Sequence, residues 1–531
     1  MMIRVASAAI HGVKASPVEI EVRAGRGKKY FSIIGLGDSA VKESRERVIS
    51  SLRSCGFSVP PQVLVNLAPA EMKKEGSGFD LPIALAVLAA SSQLSLSRRQ
   101  KLFAFGELSL DGRLKPVRGA VSLSLLALQH GYDSCLVPFE NYEEASLVRG
   151  IEVLPFRKLS DVLLYLRDGL ISDEMDAEPE SCSPQLPPLL SDVVGQELAK
   201  RALRIAACGG HNLLMIGPPG CGKSMLAERL PGLLPLLSES ERLESAAISS
   251  IVGKIPHSLL LGERPYRSPH HVITDVGLIG GGSVPKPGEV SLAHNGVLFL
   301  DEFPEYRRQA LEALRAPLES GKVRITRARG SEEFPASFQL IAAMNPCPCG
   351  KLGSPHACSC DRESVRRYLG KLSGPILDRI DMQIELDPVP LKELSRRVSV
   401  ETREGSEESH KKERRAIAAL HEVQMNRQGR FNKNLSLQTL LSEAYSLPSA
   451  IDLLEHFGEK QGISARGFTR VMRVARSIAD IAGEAWILPE HVQEALSYRS
   501  LDRLRAYAED LGARISPRSS TFLSKSSIVA R

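Results

Sequence analysis

Three runs in the middle of the chain are apolar at nearly every position: Leu213–Ile216 in "HNLLMIGPPG", "GVLFL" at 296–300 and "FQLIAAM" at 338–344. Short unbroken runs bounded by polar or turn residues predict strands buried on both faces, and a helical pattern follows the first of them. In "ARGFTRVMRVARSIADIAG" the period changes. Phe468, Val471, Met472, Ala475 and Ile478 recur every three or four residues, giving one buried helical stripe that Gly483 is suited to end. Near the start, "KKEGSGFDLPIALAVLAASSQL" reads as a loop entering an apolar helix, and "FGELSLDGRLKPVRGAV" as two strands about an Asp111-Gly112 turn.

Stretches without apolar periodicity divide the chain. The acidic, Pro- and Ser-rich run "SDEMDAEPESCSPQLPPLL" predicts an interdomain linker, and "ETREGSEESHKKERR" is a charged loop or the solvated start of a helix. The Ser-rich basic end from Ile515 predicts disorder. The expected organisation is an N-terminal domain at 1–170, a linker at 171–189, a core at 190–390, a charged connection at 391–412, a helical region at 413–512 and a tail at 513–531.

Composition alters this picture little. With 43% hydrophobic and 24% charged residues the chain is of the folded type, and a net charge of +6 over 531 residues permits nucleic-acid binding without arguing for it. The longest apolar stretch, ten residues from Leu81, is far short of the ~20 that span a bilayer. No charged segment followed by a long apolar run opens the chain, so a cytoplasmic protein with reduced thiols and no membrane partner is expected.

The chemistry begins at "GPPGCGKS". Gly217, Pro218, Pro219, Gly220, Cys221 and Gly222 form a loop whose backbone N–H groups can curl around phosphates. Lys223 reaches the terminal phosphates, and Ser224 is a ligand for Mg²⁺. Seventy-eight positions after Lys223, Asp301 and then Glu302 leave the second apolar run, where the first holds Mg²⁺ through water and the second polarises the attacking water. Asn345 ends the third run, placing an amide where it orients the same water. Arg379 and Arg466 follow.

The segments "GPPGCGKS", "ERPYRSPHH", "LIGGGSVPKPGEVSLAHNGVLFLDE", "APLESGKVRITRA", "AAMNPCPCG" and "SARGFTRVMRVARSIAD" resemble AAA+ ATPases of the magnesium-chelatase-like group. Nearly the whole chain resembles the ComM/YifB family within it. The resemblance implies an α/β fold: a P-loop ATPase core with a C-terminal helical lid, and an N-terminal α+β domain of Lon-protease/ribosomal S5-like type. It also implies ATP and Mg²⁺ as cofactors, a ring of six subunits, Asn345 as first sensor, Arg379 as a finger reaching the neighbour's site and Arg466 as second sensor. The expected partner is DNA, single-stranded or branched, with branch migration as the activity. A chelatase-type chaperone acting on a protein is the alternative.

Candidate DNA contacts are Lys286, in a Gly-rich segment expected to be a mobile loop, and Lys322, Arg324, Arg327 and Arg329, in an extended basic hairpin. His270 and His271 read as structural. For proteolysis, the N-terminal domain would need a nucleophile where Gly78 stands, one position past Ser77, and a lysine near Leu123, so an inactive domain is expected. Cys347, Cys349, Cys358 and Cys360 are paired as C-x-C, with His356 as an alternate ligand, and form a candidate Zn²⁺ site.

Overall fold

The computed structural model of the chain describes residues 2–499 apart from 73, 75, 96–100, 170–187, 254, 283, 328–329, 353–357, 390–402 and 443–444. All but the last two residues of the expected linker, the tail, Arg329, His356 and most of the charged connection lie outside the described residues.

Among the described residues, nine strands belong to the N-terminal region: β1 (Met2–His11), β2 (Lys14–Gly25), β3 (Tyr30–Ile34), β4 (Gln62–Ala68), β5 (Leu102–Ala104), β6 (Glu107–Leu108), β7 (Leu114–Lys115), β8 (Ser134–Pro138) and β9 (Glu152–Phe156). Seven of them form one mixed sheet in the order β3-β4-β2-β1-β5-β8-β9. In β2 and β4 a period of two buries Val18, Ile20, Val22, Val63, Val65 and Leu67 on one face. The helix Asp80–Ala90, buried at every position, packs into the same core. The hairpin expected at Asp111-Gly112 is present, with Leu108 opposite Leu114.

The central region supplies β10 (Leu213–Ile216), β11 (Tyr266–Arg267), β12 (Gly280–Gly281), β13 (Lys286–Pro287), β14 (Val297–Leu300), β15 (Lys322–Arg327), β16 (Gly330–Pro335), β17 (Gln339–Met344) and β18 (Met382–Glu385). Five of these make a parallel sheet in the order β11-β14-β17-β10-β18. Both faces are buried, which explains the lack of alternation in the sequence. Leu213, Met215, Val297, Phe299, Ile341 and Ala343 enter one core with the helices Glu197–Gly209 and Lys223–Leu233 and with the C-terminal helices. Leu214, Ile216, Leu298, Leu300, Leu340, Ala342 and Met344 enter the other.

The stripe predicted from Phe468 to Ile478 forms the helix Ala465–Ala482, which starts at Ser464, whose side chain accepts from Gly467 N–H, and closes at left-handed Gly483. The helix Arg403–Gln428 takes in the described end of the charged connection. Inside the lid, Asp480 accepts from buried Arg476 at 2.8 Å and from Arg427 at 2.6 Å. The N-terminal domain docks on the helix Glu239–Val252, where Ala246 and Ala247 join Phe103 and Phe105 in one apolar cluster and Gly119 N–H donates to Ser250 O at 3.1 Å. Among the described residues no helix is long and apolar enough to cross a membrane.

The Gly-rich segment follows a short helix, Asp275–Ile279, and its Gly280 and Gly281 pair with Pro287 and Lys286 in the ribbon β12–β13. Its glycines serve close approach: a Cβ on Gly288 would stand 2.4 Å from Gly280 N and 2.5 Å from Leu278 O.

Candidate active site

Parallel strands with helices on their faces leave their C-terminal ends open, and three neighbouring ends carry the predicted chemistry. From β10 the chain enters residues 217–222 and then the helix that begins at Lys223. Gly220 and Gly222 have left-handed φ of 78° and 92°, and a Cβ on either would meet nothing within 4 Å, so at both positions the bare backbone faces open space. This cradle suits a phosphate chain.

Lys223 is buried, and its Nζ donates to Gly217 O at 2.7 Å, Pro218 O at 3.0 Å and Asn345 Oδ1 at 3.2 Å. Burial pushes its ammonium down from the usual lysine value, against the opposing pull of Cys221 and Asp301. Ser224 Oγ donates to Asp301 Oδ2 at 2.8 Å. The loop end of β10, the end of β14 and the end of β17 are therefore joined by side-chain hydrogen bonds. A hydroxyl beside a carboxylate, next to a phosphate cradle, is a donor set that fits Mg²⁺.

Glu302 adopts φ of 50°, a left-handed value that a residue with a Cβ takes only under constraint. Its N–H donates to Asp301 Oδ1 at 2.8 Å, and its Oε2 lies 2.7 Å from His271 Nδ1. His271 thus belongs to the site, which the reading of it as merely structural missed. The signal was weak, since the two residues are far apart in the sequence and only the packing of β11 beside β14 brings them together. His271 lies against His270, ring centroids 4.2 Å apart and planes tilted by 33°, and Tyr306 OH donates to Pro269 O. Gln196 was also missed; its amide donates to Cys221 O at 3.1 Å and to Asp387 O at 2.7 Å, tying the phosphate loop to the start of the domain.

Family models for magnesium chelatase subunit ChlI match residues 189–394 and, as its C-terminal part, 406–499, and a model of subunit ChlI of Mg-chelatase matches 18–141. The uncharacterized protein YifB of Salmonella typhimurium is 43% identical over 94% of this chain and 97% of its own length. Competence protein ComM of Haemophilus influenzae is 41% identical over 94% and 97%. The chain belongs to the YifB/ComM family of magnesium-chelatase-type AAA+ proteins. Lon protease 2 of Bacillus subtilis shows a partial likeness, 29% identical over 30% of this chain.

The remaining candidates of this YifB/ComM-type chain stand apart from the cluster at the strand ends. Arg379 is largely buried, donating to Pro375 O at 2.6 Å and pairing with Glu319. Arg466 is exposed, 3.7 Å from Asp378, which also pairs with Arg470 at 3.0 Å. Lys286 is exposed on β13. Lys322 and Arg324 share Glu333 across the β15–β16 hairpin at 2.7 and 3.3 Å, so part of their charge is neutralised within the hairpin. Arg327 pairs in register with Gly330.

In the N-terminal domain Ser77 Oγ donates to Glu107, buried Lys74 donates to Pro69 O, and Leu123 is buried in the helix Ala120–Gln129. Ser77 and Lys74 are thus each engaged by another group. Beyond Asn345, the Sγ atoms of Cys347, Cys349, Cys358 and Cys360 all lie within 4.8 Å of one another.

Proposed function

We propose that the chain is an ATP-hydrolysing ring motor that acts on DNA, with branch migration as its activity. One observation carries the ATPase part: Lys223, Ser224, Asp301 and Asn345 are joined by hydrogen bonds around an open glycine-lined loop at the ends of three adjacent parallel strands. Each side chain has a task there. The loop N–H groups and Lys223 grip the phosphates, which in exchange for its present carbonyl partners offer the ammonium a counter-charge. Ser224 and Asp301 hold Mg²⁺, which when bound neutralises phosphate charge. Glu302 accepts a proton from the attacking water, and Asn345 orients that water. Arg379 and Arg466 serve a neighbouring subunit's site and the lid, which fits their position away from this chain's own cluster.

The DNA part is supported by the full-length similarity to a protein named for competence and by exposed Lys286. The shared Glu333 weakens the hairpin as a phosphate contact and favours a second reading, a chaperone that remodels a protein partner. The four-cysteine cluster is read as a zinc site.

ATP turnover measured with and without forked and single-stranded DNA separates the two readings. Stimulation by DNA, and ATP-dependent movement of a synthetic four-way junction, are expected. No stimulation by any DNA structure at low salt would remove the motor reading and leave the chaperone.

A further inference from the structure

The thiols of the knuckle after β17 are neither scattered nor paired as disulfides. Cys347 Sγ is 3.4 Å from Cys349 Sγ and 3.7 Å from Cys358 Sγ, and Cys349 Sγ is 3.5 Å from Cys358 Sγ. A disulfide requires about 2.05 Å between sulfurs. Four ligands at the Zn–S distance of about 2.3 Å around a tetrahedral ion lie about 3.8 Å apart. The observed separations are near that figure.

The surroundings resemble those of a built metal site. Cys347 is fully buried, while the other three are half-buried and pack against the core below the sheet. Leu352 N–H donates to Cys347 Sγ at 3.3 Å, the kind of N–H contact that holds a thiolate ligand in place. The three measured separations favour a single-ion site.

Two arms run from this knuckle to the phosphate site. Gly350, between the second cysteine and the buried Leu352, has φ of 74°, and a Cβ there would stand 2.7 Å from Pro219 Cδ and 3.9 Å from Asn345 Cγ. The turn therefore rests directly on the phosphate loop. On the other side, Cys360 immediately precedes Asp361, which caps the helix Arg362–Leu369, and the Tyr368 hydroxyl of that helix lies beside the backbone of Asn345. The first cysteine follows Asn345 by two positions.

We propose that Cys347, Cys349, Cys358 and Cys360 hold one zinc ion as a tetrathiolate, and that the metal, through Gly350 and Tyr368, sets the positions of Pro219 and Asn345 on which ATP binding depends. This rests on the reading of residues 217–224 as the ATP site. The ion takes no part in the chemistry. Its effect is to fix the turn that carries Gly350 against Pro219.

The full chain, purified with reductant and without chelator, is assayed for metal by elemental analysis and for nucleotide by fluorescence of an N-methylanthraniloyl ATP analogue. One zinc per chain is expected. Removing it with a strong chelator is expected to weaken the analogue on the order of 10-fold, the lower end of what loosening a supporting shell costs, and added Zn²⁺ is expected to restore it. Cys358→Ser is expected to lose both the metal and that affinity. Gly350→Ala guards against a merely unfolded variant: it should keep its zinc and still bind the analogue more weakly, because the new methyl displaces Pro219. Cobalt substitution supplies an independent readout, with visible d–d bands of a tetrahedral thiolate site expected. Absence of zinc, or iron with a brown chromophore in its place, overturns the metal assignment. Zinc that leaves and returns with no change in analogue affinity overturns the coupling. Bound zinc in a wild-type chain that takes up no ATP analogue at all overturns the ATP-site reading, and the coupling with it.

Discussion

Lys223 is the residue whose removal separates stability from function most cleanly. In the free chain its ammonium is buried and donates to two carbonyls and one amide oxygen at 2.7, 3.0 and 3.2 Å, and more weakly to Cys221 Sγ at 3.9 Å. Charge-assisted bonds are worth about 1.5–3 kcal/mol each, and three of them would stabilise the fold considerably. Burying an ammonium costs several kcal/mol, which offsets most of that gain. Lys223→Met keeps the stem and discards the charge, so the free protein is expected to change by no more than about 2 kcal/mol. Bound phosphate reverses the balance. Truncating one partner of a buried charge pair costs about 2–5 kcal/mol in binding. Thermal unfolding with and without Mg-ATP measures both quantities at once. At a concentration of ~100 Kd, ATP adds about 2.7 kcal/mol to the wild-type chain, which for an ATPase core of this size is roughly 5–11 °C in Tm. A site weakened by about 3 kcal/mol keeps a shift of only ~1 °C. A free Lys223→Met chain that melts far below wild type would show the lysine to be a structural prop. An undiminished ATP shift would show that it does not meet phosphate.

Three further outcomes are expected. Glu302→Gln should abolish turnover while leaving ATP binding intact, and normal turnover would mean that another group activates the water. His271→Ala frees the Glu302 carboxylate from its 2.7 Å partner and is expected to raise basal kcat about 3-fold at unchanged KM; an unchanged or lowered kcat would deny the coupling. Asp480→Asn strands buried Arg476 and is expected to destabilise the lid by about 3–5 kcal/mol in chemical denaturation. Burial opposes ionisation of Asp480, but Arg427 and Arg476 hold its carboxyl below the usual value of 3.8. Its folded pKa being the lower one, the stabilisation is complete above the unfolded value and is lost as pH falls through the folded one. The stabilities of the wild-type and Asp480→Asn chains should therefore converge only below about pH 4, and a difference that vanished near neutrality would contradict the pairing.

The sequence disclosed those parts of the site whose chemistry is contiguous. A glycine loop between a buried strand and a helix needs no partner from elsewhere to be recognised, and the sheet's two buried faces produced the unbroken apolar runs that mark β10, β14 and β17. Four cysteines in two C-x-C pairs were visible for the same reason. What stayed hidden depends on register and crossover. Counting Lys322 and Arg324 as free charge overlooked the pairing of Arg324 with Glu333 directly across the hairpin, which follows only once Arg327 is set opposite Gly330. Gly280 and Gly288 resemble hinge residues in a linear reading, yet each is demanded by backbone approaching within van der Waals distance.

His271 is the most consequential of the hidden residues, because it links two parts of the site that the sequence presents separately. It follows β11 and precedes the helix and ribbon that present Lys286, while its imidazole rests on the acid assigned to activate water. Any movement of that insertion must carry His271 with it or break the 2.7 Å contact, and either alters the freedom of Glu302. A DNA-stimulated ATPase needs a physical link of this kind between the surface that meets the polymer and the group that times hydrolysis. The contact makes the dependence testable at one residue: if DNA stimulates turnover by releasing Glu302, the His271→Ala chain, already released, should show a raised basal rate and a correspondingly smaller stimulation by DNA. Full stimulation on top of a raised basal rate would place the link elsewhere, in the hairpin or at the subunit boundary.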